Sequence, residues 1–259
     1  MKKILRLAIA CWLLAPVSSY AETISIVADE WCPYNCAKGT AASGFMIEIA
    51  KKIFGDHGIT IEYSTMPWEQ AIEETRQGKH TAIVGASKND AADFIFPTLE
   101  QGWMQNQFFV KKGSAWHYLG KDSLSQVVIG VAAGYTYGAT VDGYIQANRN
   151  NLSRVQMASG DDVLAVNVKK LLGDKVGVVI EDVHVMGYYL AQSKLQDKIA
   201  VAGKIPISDQ NNLYIAFSPK EKSAKQYAKM LDEGMAEIRA NGELAKILAK
   251  YSITDWRQP

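Results

Sequence analysis

The sequence lacks any run long enough to cross a bilayer as a helix. Its most extended apolar stretch, Leu7 to Val17, falls well short of the roughly 20 residues a membrane helix needs. It also lacks a charge excess: 28 Lys and Arg stand against 27 Asp and Glu, so there is no basic field to hold nucleic acid or an anionic membrane. Histidine is sparse and scattered, at His57, His80, His117 and His184, with no pair at metal-ligand spacing, and no Ser or Cys sits in a recognisable nucleophile elbow. These absences argue against a metal site, a cofactor site and the common hydrolase machinery. Internal repeats and low-complexity tracts are missing too.

What is present begins with an export signal. Lys2, Lys3 and Arg6 form a positive start, Leu7 to Val17 the apolar centre, and Ser19, Tyr20 and Ala21 a small-x-small cleavage site. Cleavage near Ala21 predicts a mature chain starting at Glu22, released into the periplasm. A lipid anchor on Cys11 would need a Leu three residues earlier, where Ala8 stands. Losing Lys2, Lys3 and Arg6 leaves 25 basic residues against 27 acidic ones, a charge of −2. The 238 residues remaining of 259 suit one large domain or two lobes.

Two of the three cysteines survive cleavage, Cys32 and Cys36, separated by Pro33, Tyr34 and Asn35. In an oxidising compartment close thiols favour a disulfide. A redox or metal pair is the alternative, but the gap is not the two residues of redox motifs and no His lies nearby. A bridge here would stiffen the turn that carries Trp31 and Tyr34.

The hydrophobic period alternates between strand and helix along the chain. Thr23 to Ala28 reads as a strand; Phe45, Ile49 and Ile53 form one helical face ending at Gly55; Ile59 to Ser64 is a second strand. Pro67 opens a helix with Trp68, Ala71 and Ile72 on its apolar side, and Gly78 ends it before the strand Thr81 to Gly85. Gln107 to Lys112 reads as an extended crossover into a second series. That series has strands at Val127 to Ala132 and Val176 to Ile180, and helices at Val141 to Ala147 and Val163 to Leu172. Asn211 to Phe217 is extended again, as a second crossing would be. Ala224, Tyr227, Leu231, Met235 and Ile238 then form a helical stripe, Gly242 a break, and Leu244, Ile247 and Leu248 a second stripe. The pattern predicts an α/β protein of two lobes joined by two extended passages.

The residues Trp31 to Tyr34, Gly44 to Glu48, Pro67 to Ala71 with Gly78 and Thr81 to Gly85, Phe94 to Pro97, Gly134 to Thr136, Val176 to Asp182, and Gly242 to Tyr251 occur in an order that resembles the family 3 extracytoplasmic solute-binding proteins. These are the polar amino-acid receptors of ABC importers. The resemblance covers nearly all of the mature chain. It implies the periplasmic binding protein-like fold of class II type, two lobes closing on ligand about a two-stranded hinge, with a C-terminal helical segment packed on the first lobe. The boundaries that follow are a signal peptide over 1–21, lobe one over 22–112 and 208–259, and lobe two over 113–207.

The same resemblance, weighed against plainer readings, nominates the site. Trp31 and Tyr34 match the family's aromatic turn and would line the cleft, against simple packing. Trp68 serves equally as cleft wall or core anchor. Glu48, in the first turn of a helix, is already favoured there by the dipole, and the structural reading prevails. Gly134 to Thr136 resembles the Gly-Thr turn whose amides and hydroxyl hold a carboxylate, which puts Thr136 and, with less support, Tyr135 and Tyr137 in the site. Asp182 matches the acid facing a ligand ammonium, against a helix cap.

One departure stands out. Amino-acid receptors of this family carry an Arg after the Gly-ended strand, where its planar fork grips an α-carboxylate. Here the segment runs Ser87, Lys88, Asn89, Asp90, Ala91, Ala92, Asp93, with Ser87 and Lys88 as the candidates for that place. The expected function is therefore a monomeric receptor without catalytic residues, cofactor or metal, which takes a small polar solute to the permease of an ABC importer. The ligand either lacks the usual carboxylate or displays it differently. The alternatives are a sensor input to a separate membrane signalling protein and a dehydratase on the same fold.

Overall fold

A strand buried on both faces needs cover above and below, and β1 (Thr23–Ala28) is such a strand, with Ile24, Ile26, Val27 and Ala28 fully enclosed. In the computed structural model, which describes residues 22–37, 39, 42–160, 162–207 and 211–257, β1 lies between β2 (Thr60–Thr65) and β3 (Ala82–Ala86), parallel to both. The export signal falls outside the described residues. Two later strands complete this sheet, β4 (Gly102–Trp103) and β10 (Asn212–Phe217), in the order β2-β1-β3-β10-β4. Helices α1 (Phe45–Gly55) and α2 (Trp68–Arg76) pack on it, as do α7 (Ala224–Ala240) and α8 (Glu243–Ala249) from the far end of the chain. Phe54, Phe217 and Tyr227 meet edge-on or tilted at its centre. Lobe one is thus built from both ends of the chain.

The second sheet has the order β7-β6-β8-β5-β9. It comprises β5 (Asn106–Lys111), β6 (Ile129–Ala132), β7 (Val155–Ala158), β8 (Val178–Asp182) and β9 (Ile199–Lys204). Around it lie α3 (Lys121–Leu124), α4 (Ala139–Asn148), α5 (Val163–Leu172) and α6 (Val183–Ser193). The mixed α/β, two-lobed architecture expected from the sequence is the one observed.

The expected crossover over Gln107 to Lys112 is instead strand β5, paired antiparallel with β8 and β9 deep in lobe two. Phe108, Phe109 and Val110 explain this: all three are buried, which an exposed linker could not achieve. The first passage between lobes is Met104–Gln105. The return passage lies between Ile205, whose N–H donates to the Asn106 carbonyl, and Asn211, whose carbonyl and side-chain amide both bond Met104. Two adjacent chain segments, hydrogen-bonded to each other, join the lobes.

The turn of Trp31 to Asn35 is pinned to α1. The Pro33 and Tyr34 carbonyls accept from the N–H groups of Phe45 and Met46, which satisfies donors that a helix start leaves open. Cys32 and Cys36 are bonded across the turn. Gly44 permits this approach: its φ is 96°, and a Cβ there would sit 2.4 Å from the Tyr34 carbonyl oxygen. Gly44→Ala should therefore cost about 3 kcal/mol or more, read as a lower urea midpoint. A loss below about 1 kcal/mol would mean that the turn moves off α1 without consequence.

Candidate functional site

The carboxyl ends of β1, β3 and β6 point toward the gap between the lobes, where open α/β sheets place their ligands. Asp29 follows β1 and leads into the aromatic turn; Val84 and Gly85 lie near the end of β3, and Asp90 follows it; Tyr135 and Thr136 follow β6. With Trp31, Asn35, Trp68, Met104 and Asn106, they line a cleft of about 410 Å³, counting its open mouth.

Aromatic rings form much of its wall. Trp31 stacks on Tyr34 with centroids 4.4 Å apart and meets Tyr135 edge-on at 6.2 Å. Gly85 lies beside the Trp31 ring and Asn35 Oδ1 at φ 84°, a left-handed conformation that favours glycine. Behind the stack Tyr34 is fully buried, its hydroxyl donating to the Trp103 carbonyl at 2.8 Å and lying 3.1 Å from Asp182 Oδ1.

The lobes touch through polar pairs. Trp31 Nε1 donates to Glu181 Oε1 at 2.9 Å, the Tyr135 hydroxyl to Asp29 Oδ2 at 2.5 Å, and the Thr136 hydroxyl to Asp90 Oδ1 at 2.9 Å. Gly134 packs so near Glu69 of α2 that a Cβ would fall 2.6 Å from its Cγ. Lobe two is closed onto lobe one at all four places.

Carboxylates dominate the electrostatics. Asp90 also accepts from the Ser87 N–H and hydroxyl at 2.7 and 2.8 Å; burial pushes its carboxyl up, and these bonds with that of Thr136 oppose the push. Burial raises Glu181 to about 8. Both donors to Glu181, from Trp31 and the Asp182 amide, converge on Oε1. Burial likewise lifts the Tyr135 phenol well above its ordinary range. None of the described residues lining the cleft is basic.

Of the residues nominated from sequence, Trp31, Trp68, Tyr135 and Thr136 line this cleft. Tyr34 stands behind Trp31, and Ser87 is buried beneath Asp90. Lys88 is exposed and sets its ammonium over the Tyr214 ring, 5.1 Å from the centroid, rather than beside the lining residues. Tyr137 is buried in lobe two, its hydroxyl accepting from the Ala132 N–H at 2.8 Å, and borders a neighbouring recess toward the hinge. Asp182 is occupied elsewhere: it caps α6 by accepting from the amides of His184 and Val185, and holds the Gln105 amide at 2.8 Å. Glu48 bonds Lys250 and Tyr251 on the outer side of α1. Asp29, Asn35, Asp90 and Glu181 escaped the sequence reading. The position of Asp29 directly after a buried strand was the one available signal, and it equals the signal that singled out Asp182.

The raised Glu181 carboxyl makes a signed prediction. Unfolded, it titrates near 4.5; folded, near 8. Between these values the folded state keeps a proton that the unfolded state has released, so this group's contribution to stability falls as pH rises. Wild-type stability should decline from pH 5 to 8 relative to Glu181→Gln, which keeps an oxygen for Trp31 and does not titrate. Parallel urea-denaturation profiles for the two proteins would refute the assignment.

The sequence matches the bacterial extracellular solute-binding proteins, family 3, over residues 24–254. A comparison with curated proteins found no match. Among solved structures, the chain is similar to one from a study of glutathione import via GshT and the cystine ABC importer TcyBC of Streptococcus mutans, at TM-score 0.73 and 18% identity, covering 90% of this chain and 95% of that one. An arginine third transport system periplasmic binding protein from Legionella pneumophila aligns at TM-score 0.70 and 18% identity, covering 89% and 99%. A histidine kinase sensor domain with similarity to periplasmic binding proteins aligns at TM-score 0.70 and 16% identity, covering 89% and 96%. At these identities the structural likeness bears on fold alone, whereas the sequence match spans nearly all the described residues: the chain belongs to the family 3 bacterial extracellular solute-binding proteins.

Proposed function

We propose that this protein is a periplasmic receptor that captures a small polar solute, an amino acid or a related compound, by closing its lobes, and delivers it to an ABC importer. The observation that supports this most is the cleft itself: aromatic walls and convergent polar groups from both lobes meet where two short hinge segments allow one lobe to swing. The export signal fits this compartment, with processing near Ala21 giving a mature, monomeric protein that begins at Glu22. Trp31, Trp68 and Thr136 serve as ligand contacts in this reading, joined by Asp29, Asn35, Asp90 and Tyr135. Tyr34 and Asp182 hold the wall and hinge behind them.

A sensor input is the second reading, motivated by the likeness to the histidine kinase sensor domain. Uptake of labelled ligand into cells that carry or lack the gene separates the two, because a transport receptor changes uptake and a pure sensor does not. A dehydratase would instead turn over prephenate-like acids.

A solute that binds the closed form should raise the melting temperature without being consumed. Turnover of prephenate-like acids would overturn the receptor reading. Thr136→Val removes the hydroxyl that reaches Asp90 across the cleft, so the closed form loses one bond worth about 1 kcal/mol. Affinity for the ligand should drop roughly 5-fold or more, with overall stability little changed. Unaltered affinity would show that this contact plays no part in closure.

A further inference from the structure

Groups that could receive an anion at the cleft are already committed to the protein's own carboxylates. At the start of α4, the amides of Tyr137 and Gly138 donate to Asp142 at 2.8 and 3.1 Å. The Thr136 hydroxyl donates to Asp90. Asp90 itself occupies the segment where a guanidinium would grip a carboxylate, and Lys88 turns away toward Tyr214. A ligand carboxylate would enter beside Asp29 and Asp90 with no lining cation to offset the like charges.

One acceptor at the cleft, by contrast, is unmet. Asn35 is 1% exposed and lines it; its Nδ2 donates to the Asp29 carbonyl at 2.7 Å, which fixes the orientation of the amide. Its Oδ1 is buried and has no hydrogen-bond partner. A buried acceptor left unmet is costly, about 1–3 kcal/mol, and a ligand donor is what would meet it. The indoles of Trp31 and Trp68 and the Tyr135 ring stand around the same space, and aromatic faces attract cations.

Resting on the receptor reading above, we infer that the solute is an organic ammonium or guanidinium compound lacking a carboxylate, held by Asn35 Oδ1 and the carboxylates of Asp29 and Asp90 between the aromatic rings. The protein would then differ from an amino-acid receptor by the charge its cleft demands. It selects the decarboxylated member of a pair.

The test uses matched pairs that differ by one carboxylate: lysine with cadaverine, ornithine with putrescine, and arginine with agmatine. Choline, glucose and small organic acids complete the panel. Thermal shift finds binders and calorimetry on the mature protein measures Kd. At least one amine should bind 10-fold or more tightly than its amino acid. Asp90→Asn should weaken that amine at least 10-fold, and Asp29→Asn serves the same purpose should the first variant lose its fold by circular dichroism. An amino acid that equals or beats its amine, or binding confined to glucose or organic acids, overturns this inference and leaves the receptor reading standing. Silence across the whole panel overturns both.

Discussion

Two consecutive buried acids, Glu181 and Asp182, locate nearly everything that shapes the cleft. A carboxyl group withdrawn from water is tolerated only where donors meet it, and here the donors come from separate elements. Glu181 takes the Trp31 indole of lobe one; Asp182 takes the first amides of α6, the amide of Gln105 in the hinge, and stands beside the Tyr34 hydroxyl. Loss of any of these partners leaves a buried acceptor short of a bond, so in the closed form the aromatic turn, the hinge and the start of α6 are held relative to one another. Strand β8 supplies both acids because its register ends at the pair Asn106 and Asp182, where lobe two meets the hinge.

Such a constraint explains what the sequence could and could not reveal. Long periodic elements were legible: α1 at Phe45, Ile49 and Ile53, and α7 with α8 about the break at Gly242, form where their apolar stripes predict. Strand β5 was misread because a hinge passage and a fully buried antiparallel strand share one signature, a short extended apolar run. Within the site, Trp31 and Thr136 could be nominated because their turns resemble the family's aromatic and Gly-Thr turns, whereas Trp68, at a helix start, read equally as cleft wall and core anchor. For Asp182 an acid at a strand end reads alike as ligand partner and as cap, and the two amide bonds at 2.8 and 3.1 Å show it capping α6. Asp90 lay inside a segment that drew notice for the arginine it lacks. Asn35 gains its role from a fold within lobe one that sets its amide against the Asp29 carbonyl, and the bond of Tyr135 to Asp29 comes from a lobe-to-lobe juxtaposition that no local pattern encodes.

The same juxtaposition governs energetics. Asp29 and Asp90 each meet a hydroxyl from lobe two, Tyr135 and Thr136, across the cleft. In an open protein those four groups would bond water instead. Each cross-lobe bond is therefore an exchange, worth only about 0.5–1.5 kcal/mol net. A handful of such exchanges sums to a small preference, opposed by the freedom the lobes surrender on closing.

A preference of that size is what a receptor needs. If closure were strongly favoured alone, a solute would find its cleft shut; if it were strongly disfavoured, most binding energy would go into moving the lobes. A ligand shifts such an equilibrium only by its differential affinity for the two states. That difference comes from enclosure: lobe one supplies the acceptors of Asp29, Asp90 and Asn35, with Asn35 Oδ1 still unmet, and lobe two brings the Tyr135 ring over them, so a donor placed there is shut from water only when the lobes are together. The hydroxyls of Tyr135 and Thr136 then act less as permanent bolts than as local substitutes, holding the carboxylates in position until a better donor arrives.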